Sequence, residues 1–346
     1  MSLRVAVVGA TGAVGAEFIK LLEHRNFPVE KLTLLASARS AGQILKFRGQ
    51  PIAVQELTQE SFGPIDLAFF SAGASVSKEF CPLAAAAGAL VIDNSSAFRM
   101  DPEVPLVVPE VNPEAISQHH GIIANPNCTT IQMVVVLKPL HDAARIRRVV
   151  VSTYQAVSGT GTKAIVELEQ QVRDHVAGRA AKHEVYPVPI AFNVLPHVDV
   201  FLDNGYTKEE MKMVHETRKI MGDPSINVSA TCVRVPVVRA HSEAINIETE
   251  RKLTASEARA LLARAPGVVV KDEHVPGGYP VPLEVAEQYD TYVGRIREDI
   301  SVENGLAFWV VADQLFKGAA LNGIQIAEYA IAHKLLARKD MGTATD

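Results

Sequence analysis

Short runs of apolar residues alternate with helical spacing through the first part of the chain. Five runs are typical of buried strands: Leu3–Val8, Lys31–Ala36, Ile65–Phe70, Leu90–Asp93 and Leu106–Val108. Apolar side chains spaced i, i+4, i+7 and i+8 from Val14 predict a helix after the first run, and an alanine-rich stretch at about 78–87 predicts another. This alternation predicts an α/β fold built on a Rossmann-type doubly wound parallel sheet.

The hydrophobic pattern changes at about residue 147. Longer alternating runs follow, at Val149–Gln155, Ile226–Val238 and Ala244–Thr249, and a further strand is predicted at Leu306–Ala312. Alternation over such lengths indicates a more antiparallel sheet with one covered face, and hence a second domain of α+β type. A capping box, Thr254 to Glu257, predicts the start of a helix that ends near Arg264.

Composition narrows the class of protein. The chain has 346 residues, of which 48% are hydrophobic and 21% charged, so two folded domains are expected rather than a disordered or fibrous chain. A net charge of −5 does not indicate a nucleic-acid-binding protein. No apolar run is long enough for a membrane span or a signal peptide, so a cytoplasmic location is expected. Three cysteines, at 81, 128 and 232, lack the spacing of a zinc site or a disulfide framework.

A glycine-rich turn separates the first predicted strand from the first predicted helix. Glycines let the backbone approach a pyrophosphate, and the helix N-terminus then offers N–H donors to it. Taken alone, three glycines also fit a tight turn, but the strand–turn–helix order at the start of the chain favours dinucleotide binding. The cofactor-binding candidates in this turn are Gly9, Thr11, Gly12, Ala13 and Val14.

The end of the second predicted strand indicates which dinucleotide binds. An NAD site usually carries an acidic residue there for the ribose 2′-OH, but this chain has Ser37-Ala38-Arg39-Ser40. Arg39 flanked by hydroxyl groups suits the 2′-phosphate of NADP instead. The alternative is a solvated arginine in a loop.

Cys128 lies in the stretch Asn125–Thr130, between a predicted strand at 121–124 and a predicted helix at 131–140. Asn127 or Thr129 is the candidate N-cap, so the thiol is expected at the mouth of the helix. Backbone N–H groups and the helix dipole favour the nucleophilic thiolate there. From this stretch alone a buried structural cysteine is an equal alternative.

Other charged residues are candidates for binding or catalysis, but each could also have a purely structural role. Arg99 is a candidate anion clamp, or else it pairs with a neighbour such as Asp101. Arg234 and His241 lie seven residues apart across a strand and a turn. His241 could be an ordinary core or surface histidine, and the Glu and Lys residues at 209–212 could be the solvated first turn of a helix.

Taken together, these motifs resemble the aspartate-semialdehyde dehydrogenase family over nearly the whole chain. The matching stretches are Gly9–Gly15, Ser37–Ser40, Asn94–Arg99, Asn127–Thr130, Gln155 with Ser158-Gly159, Arg234 with His241, and Gly318–Ala320. The resemblance implies NADPH-dependent reduction of 4-phospho-L-aspartate to L-aspartate 4-semialdehyde through a thioester. That reaction belongs to lysine (diaminopimelate), threonine, methionine and isoleucine biosynthesis.

The resemblance also assigns roles to residues. Cys128 would be the nucleophile, His241 the acid/base and Gln155 the residue that orients the substrate, while Arg234 and Glu209 would bind its carboxylate and amino groups. Phosphate would be bound by Arg99 and Lys212. NADP would contact residues 11–14 and also Arg39, Ser40, Ser158, Gly159 and Gln314. An imidazole that titrates near neutrality would suit removal of the proton during hydride transfer.

The resemblance also sets expectations for domains and assembly. We expect an NADP-binding domain at 1–130 that is completed by a C-terminal helix at 318–338, a catalytic and dimerisation domain at 131–317, and a flexible tail at 339–346. A homodimer or homotetramer is expected. No family motif covers 163–206.

Two alternatives to this function stay open on the sequence. N-acetyl-glutamyl-phosphate reductase shares the plan and the cysteine–histidine chemistry, but an acylated amino group would not need Glu209 as a partner. An inert NADP-binding homologue would keep the fold, although the joint presence of Cys128, Gln155 and His241 argues against it.

Overall fold

The structure is a computed structural model in which residues 2–336 are described. The chain divides into two units. The first unit comprises the chain up to Pro126 together with the segment from Ala319 onward, and the second comprises Asn127–Gly318. The predicted tail at 339–346 lies outside the described residues.

The secondary structure alternates strands and helices in the first unit and is more strand-rich in the second. The strands are β1 (Leu3–Val8), β2 (Val29–Ala36), β3 (Ile44–Phe47), β4 (Gln50–Ala53), β5 (Gln55–Glu56), β6 (Leu67–Phe70), β7 (Leu90–Asp93), β8 (Ile122–Ala124), β9 (Ile146–Gln155), β10 (Asn227–Arg234), β11 (His241–Thr249), β12 (Val268–Val270), β13 (Thr291–Glu298) and β14 (Gly305–Ala312). The α-helices are α1 (Ala13–His24), α2 (Ala74–Ala86), α3 (Cys128–Ala144), α4 (Thr162–Val176), α5 (Lys208–Met221), α6 (Ala255–Leu262), α7 (Pro282–Val285) and α8 (Leu321–Ala332).

The first unit contains a parallel sheet in the order β5-β2-β1-β6-β7-β8, with β3 and β4 forming a separate hairpin. Helix α1 buries the apolar stripe that the sequence predicted, with Phe18, Leu21 and Leu22 inaccessible to solvent. The structure therefore confirms the doubly wound parallel sheet. The loops after β1, β2, β6 and β7 all leave from its carboxyl edge, where ligands of such sheets bind.

The second unit contains a mixed sheet in the order β10-β9-β11-β14-β13-β12. The three inner pairings, β9–β11, β11–β14 and β13–β14, are antiparallel, while the edge strands β10 and β12 run parallel to β9 and β13. Helix α3 buries Met133, Val136 and Leu137 in a core shared with Val149 and Val151 of β9. This core covers one face of the sheet, as the alternating pattern predicted.

Several predicted elements were wrong in type or extent. Leu106–Val108 is not a strand, because only Leu106 forms an isolated bridge, to Ala124. The run at 226–238 is a strand only to Arg234, since Val235-Pro236 turns the chain. The single helix expected from Gly318 is instead a π-helical turn at Phe316–Ala320 followed by α8.

Candidate active site

Three adjacent strands of the second unit each carry a polar side chain at the same edge of the sheet. Gln155 ends β9, and its register partner Arg234 ends β10. His241 begins the adjacent strand β11. All three side chains are buried. Because buried polar side chains are uncommon in a protein interior, three of them at neighbouring strand ends indicate a built site rather than a solvated edge.

His241 is fully buried, and its ring is oriented by the backbone. The N–H of Ala156 donates to Nδ1 at 3.0 Å, so the neutral ring must carry its proton on Nε2. Burial first, and then the positive charge of Arg234, hold the pKa of His241 well below its usual range. The expectation of an imidazole titrating near neutrality was therefore wrong: His241 is neutral, and Nε2 has no partner among the described residues.

Arg234 keeps most of its guanidinium available. Its Nη1 donates to the carbonyl of Ala156 at 2.7 Å, which is the hydrogen bond that anchors the side chain. Gly159 packs against the same pair of side chains: a Cβ at this position would lie 3.1 Å from Nη1 of Arg234 and 3.2 Å from Nε2 of His241. The glycine therefore leaves the space beside both groups open.

Glu209, in the first turn of α5, joins the other polar groups of the site. Its Oε1 accepts from Gln155 Nε2 at 3.1 Å and from Asn127 Nδ2 at 3.0 Å, and its Oε2 accepts from Lys212 Nζ at 2.9 Å. Burial alone would raise the pKa of Glu209, but the charge of Lys212 and these hydrogen bonds lower it below its usual range. Thr153 Oγ1 donates to Gln155 Oε1 at 3.1 Å, which fixes the amide of Gln155.

Cys128 is the first residue of α3, and its side chain is partly accessible. The helix N-cap is Asn127, whose side-chain oxygen accepts from the N–H of Thr129 at 3.1 Å. The helix therefore begins three residues earlier than predicted, and Cys128 lies within its positive first turn, where a thiolate is stabilised. A Cβ on Gly318 would approach Cys128 Cβ to 2.9 Å, so the π-helical turn packs directly behind the thiol residue.

Ser158 and Gln314, two of the cofactor candidates of the second unit, are ordered by one hydrogen-bond network. Ser158 lies in a 3-10 turn at Val157–Thr160 and donates to the carbonyl of Val238. Gln314 donates through Nε2 to Ser158 Oγ and accepts through Oε1 from the N–H of Ala240 at 2.8 Å. Both ends of the buried Gln314 amide are thus bound to protein, so it supports Ser158.

Arg99 belongs to the first unit, in the loop after β7. Its Nε donates to the carbonyl of Asn125 at 2.9 Å and its Nη2 to that of Asn94 at 3.0 Å. The loop is held by the buried Asp93, which accepts from Ser77 Oγ at 2.7 Å and from Ser95 Oγ at 2.8 Å. Arg99 is buried and positioned by backbone carbonyls.

The dinucleotide candidates of the first unit converge at the carboxyl edge of its sheet. Gly9 has φ of 84°, and a Cβ there would lie 2.8 Å from the backbone of Ser71. Gly12 is the N-cap of α1 and offers no side-chain cap, so the first N–H groups of the helix stay available for an anion. Thr11 Oγ1 and Ser40 Oγ are 3.3 Å apart, which brings the glycine turn to the exposed Arg39 loop.

Sequence reasoning missed several residues that support the site. Glu216 accepts from the N–H of Asn127 at 2.6 Å and is buried. The sequence signal for Glu216 was its position, seven residues after Glu209 and therefore on the same face of helix α5. Asp199 binds Lys212, and Glu243 lies fully buried two residues after His241; neither carries a motif.

The described residues contain neither a metal-binding cluster nor a membrane-spanning helix. No group of three or more His, Cys, Asp or Glu side chains there could hold a metal ion. None of the helices in that part of the chain has the length and apolar character needed to span a bilayer.

Comparison with known proteins matches both halves of the chain. The model of the NAD binding domain of semialdehyde dehydrogenases matches residues 4–119, and the model of the semialdehyde dehydrogenase dimerisation domain matches residues 137–317. An aspartate-semialdehyde dehydrogenase of Aquifex aeolicus is 56% identical over 340 residues, which are 97% of this chain and 100% of that protein.

Solved structures share the fold. Aspartate semialdehyde dehydrogenase II from Vibrio cholerae, crystallised in complex with ASA, superposes with a TM-score of 0.93 at 46% identity, covering 96% of this chain and 99% of that one. The Candida albicans enzyme, crystallised with NADP, gives a TM-score of 0.77 at 27% identity, covering 97% of this chain and 100% of that one.

Proposed function

Since this chain belongs to the aspartate-semialdehyde dehydrogenase family, we propose that it reduces 4-phospho-L-aspartate to L-aspartate 4-semialdehyde with NADPH, through a thioester on Cys128. The observation that carries this proposal is the content of the second unit. A thiol at a helix N-terminus, a neutral buried imidazole and a partly unoccupied guanidinium are all built into one unit. Each of these groups has a role in acyl transfer. Their presence together argues against a structural cysteine at position 128 and an ordinary core histidine at position 241.

The reaction is easiest to follow from the aldehyde. The Cys128 thiolate adds to the aldehyde carbon, and the carbonyl oxygen becomes an oxyanion. The Nε2–H of neutral His241 donates a hydrogen bond to that oxyanion. A nicotinamide nucleotide held by the glycine turn after β1 would supply the redox chemistry, as hydride acceptor in this direction and hydride donor in the biosynthetic one. Phosphate then attacks the thioester carbon, the thiolate leaves, the acyl phosphate departs, and the proton of the phosphate passes to solvent.

Substrate recognition follows from the charges of the same unit. Arg234 has guanidinium N–H groups left over for the substrate carboxylate. Glu209 accepts three hydrogen bonds, and a carboxylate has about four acceptor positions, so one remains for the substrate ammonium. Gln155, fixed by Thr153, would orient the carbonyl. A free amino group therefore has a partner here, which favours the aspartyl substrate over an N-acylated one.

The phosphate and cofactor roles complete the proposal. Lys212 and, in the first unit, Arg99 would bind phosphate. A nicotinamide-nucleotide-binding domain is present. Its glycine turn fits a pyrophosphate because glycines have no side chain to cover the backbone, and no side chain caps the first turn of α1. We assign NADP rather than NAD because Arg39 suits a 2′-phosphate. The dimerisation domain supports self-assembly, which we propose to be a homodimer or homotetramer.

The test is an assay of NADPH formation from L-aspartate 4-semialdehyde, with and without phosphate, beside N-acetyl-glutamate 5-semialdehyde. We expect phosphate-dependent turnover of the first aldehyde alone. Turnover of the N-acetylated aldehyde would overturn the substrate assignment. Nucleotide binding without turnover of either aldehyde would overturn the catalytic one.

A further inference from the structure

Lys212 is held by two carboxylates, only one of which has a role in the proposed reaction. Its Nζ donates to Glu209 Oε2 and to Asp199 Oδ2, both at 2.9 Å. Burial alone would lower the pKa of Lys212, but these two carboxylates raise it above its usual range. The ammonium is therefore charged, and two of its three N–H donors are already used.

Asp199 is held in an unusual backbone conformation. Its φ is 67°, in the left-handed region that non-glycine residues seldom adopt, and its Oδ1 accepts from the N–H of Val200 at 2.9 Å. Burial alone would raise the pKa of Asp199, but the hydrogen bond and charge of Lys212 lower it. The exposed Lys208, one helical turn before Lys212, also favours the charged form. The carboxylate is therefore ionised and aimed at Lys212.

We propose that Asp199 competes with inorganic phosphate for Lys212, and so sets the affinity of the enzyme for phosphate. The inference rests on the proposed phosphate-binding role of Lys212. In this arrangement Asp199 is a counter-ion that acts through Lys212 and does not touch the substrate.

The two carboxylates differ in how easily they can release the ammonium. Glu209 is 7% exposed and is also bound by Asn127 and Gln155, so it keeps its place when phosphate arrives. The Asp199 side chain is 30% exposed and lies on a loop, so water can replace Lys212 as its partner. An incoming phosphate dianion would therefore take the N–H that Asp199 accepts, against repulsion from the Asp199 charge.

The test is the kinetic effect of Asp199→Asn. Asparagine keeps the acceptor for Val200 and tolerates the left-handed backbone, so the variant removes the charge and the acceptor that face Lys212 while leaving the loop contact in place. We expect the KM for phosphate to fall about two- to fivefold, which is the change in affinity that one partly exposed ion pair produces. The kcat and the KM for the aldehyde should stay unchanged. The matched control is Asp203→Asn, which removes an exposed aspartate from the same loop and should leave the KM for phosphate unchanged. Phosphate is varied at constant ionic strength.

Two further variants keep the outcome decisive. Lys212→Gln should raise the KM for phosphate; if it does not, the proposed phosphate role of Lys212 fails, whatever Asp199 does. If Lys212→Gln raises it but Asp199→Asn leaves it unchanged or raises it, the competition is refuted. Should Asp199→Asn not fold, Asp199→Gly removes the same charge and suits the positive φ, and it is held to the same criterion.

Discussion

The imidazole of His241 illustrates how one backbone hydrogen bond selects a chemical role. The N–H of Ala156 can only donate, so Nδ1 of His241 must accept, and the neutral ring holds its proton on Nε2. Burial and the nearby guanidinium of Arg234 keep the ring from protonating. A ring in this state stabilises an oxyanion by donation and is poorly suited to accept a proton at Nε2.

This assignment predicts different losses for two substitutions of His241. In His241→Asn the amide reaches the Nδ1 position but not Nε2, so the oxyanion loses its donor and kcat should fall by about 10² to 10³. In His241→Gln the amide N–H reaches the Nε2 position, so a larger share of kcat should survive. Steady-state kinetics of both variants at saturating substrates provide the measurement. Equal losses would show that donation from Nε2 is not the role of His241.

The cofactor preference also depends on a single side chain. We predict that Arg39→Asp lowers kcat/KM for NADP relative to NAD by at least about tenfold, because a carboxylate repels the 2′-phosphate and accepts from a ribose hydroxyl. Lys46→Asp, an equal charge reversal at an exposed position of β3, serves as the control for changes in overall charge. If both variants keep the parent ratio, Arg39 does not contact the 2′-phosphate.

At the scale of elements, the surroundings of the thiol depend on the contact between helix α3 and Gly318. Helix α3 begins at Cys128, and the π-helical turn at Phe316–Ala320 brings Gly318 against it. A π-turn inserts an extra residue into a helix, and such turns are frequent at functional sites. Here Gly318, at the centre of the turn, is the residue that approaches the cysteine.

We predict that Gly318→Ala damages catalysis more than it damages folding. The added methyl would lie 2.9 Å from Cys128 Cβ and 3.3 Å from its Cα, so the first turn of α3 must move. Overpacking of this kind costs about 1 to 3 kcal/mol of the free energy of unfolding. Thermal unfolding and kcat are measured together, with Gly63→Ala as control because a Cβ there meets nothing within 4 Å. A variant with full kcat would show that this close approach does not position the thiol.

The sequence predicted elements well where periodicity was strong, and poorly where tertiary contacts decide the backbone. β1 and β7 have the predicted bounds because apolar runs end at clear turn residues. Helix α2 begins at Ala74, four residues early, since polar Ser77 faces the buried Asp93. No local pattern distinguishes a π-turn from the start of an α-helix, and none reveals that Glu216 would bind Asn127, because that contact joins residues distant along the chain.

For the whole molecule, one buried acid should shape the dependence of stability on pH. Glu243 is fully buried, and neither carboxyl oxygen has a hydrogen-bond partner in the described residues, although Gln132 is near enough to moderate its titration. Burial raises the pKa of Glu243 well above 4.5, its value in an unfolded chain. The folded state therefore binds this proton more tightly, and the stability gained is present below pH 4.5 and lost as pH rises toward the folded-state pKa.

Glu243→Gln should remove the fall in stability that the buried carboxyl causes as pH rises. We predict that the free energy of unfolding of the variant exceeds that of the parent by a margin that grows with pH, at up to roughly 1.4 kcal/mol per pH unit above the unfolded-state pKa. Denaturant unfolding at several pH values measures the margin, and Glu56→Gln, at an exposed position, provides the control. A margin independent of pH would show that Glu243 is ionised in the folded protein.

The division into two units predicts that binding of the nucleotide pyrophosphate can be separated from covalent chemistry. The glycine turn belongs to the first unit, whereas Cys128 and the polar groups around Gln155 belong to the second. Cys128→Ala should abolish turnover and leave the Kd for NADP within about twofold of the parent, while Cys128→Ser should retain at most a trace because a hydroxyl is a far weaker nucleophile. Cys81→Ala, which removes a buried thiol of the first unit, should keep turnover. Normal activity in Cys128→Ala would exclude the thioester, and a large loss of NADP affinity there would show that the two functions are coupled through the thiol.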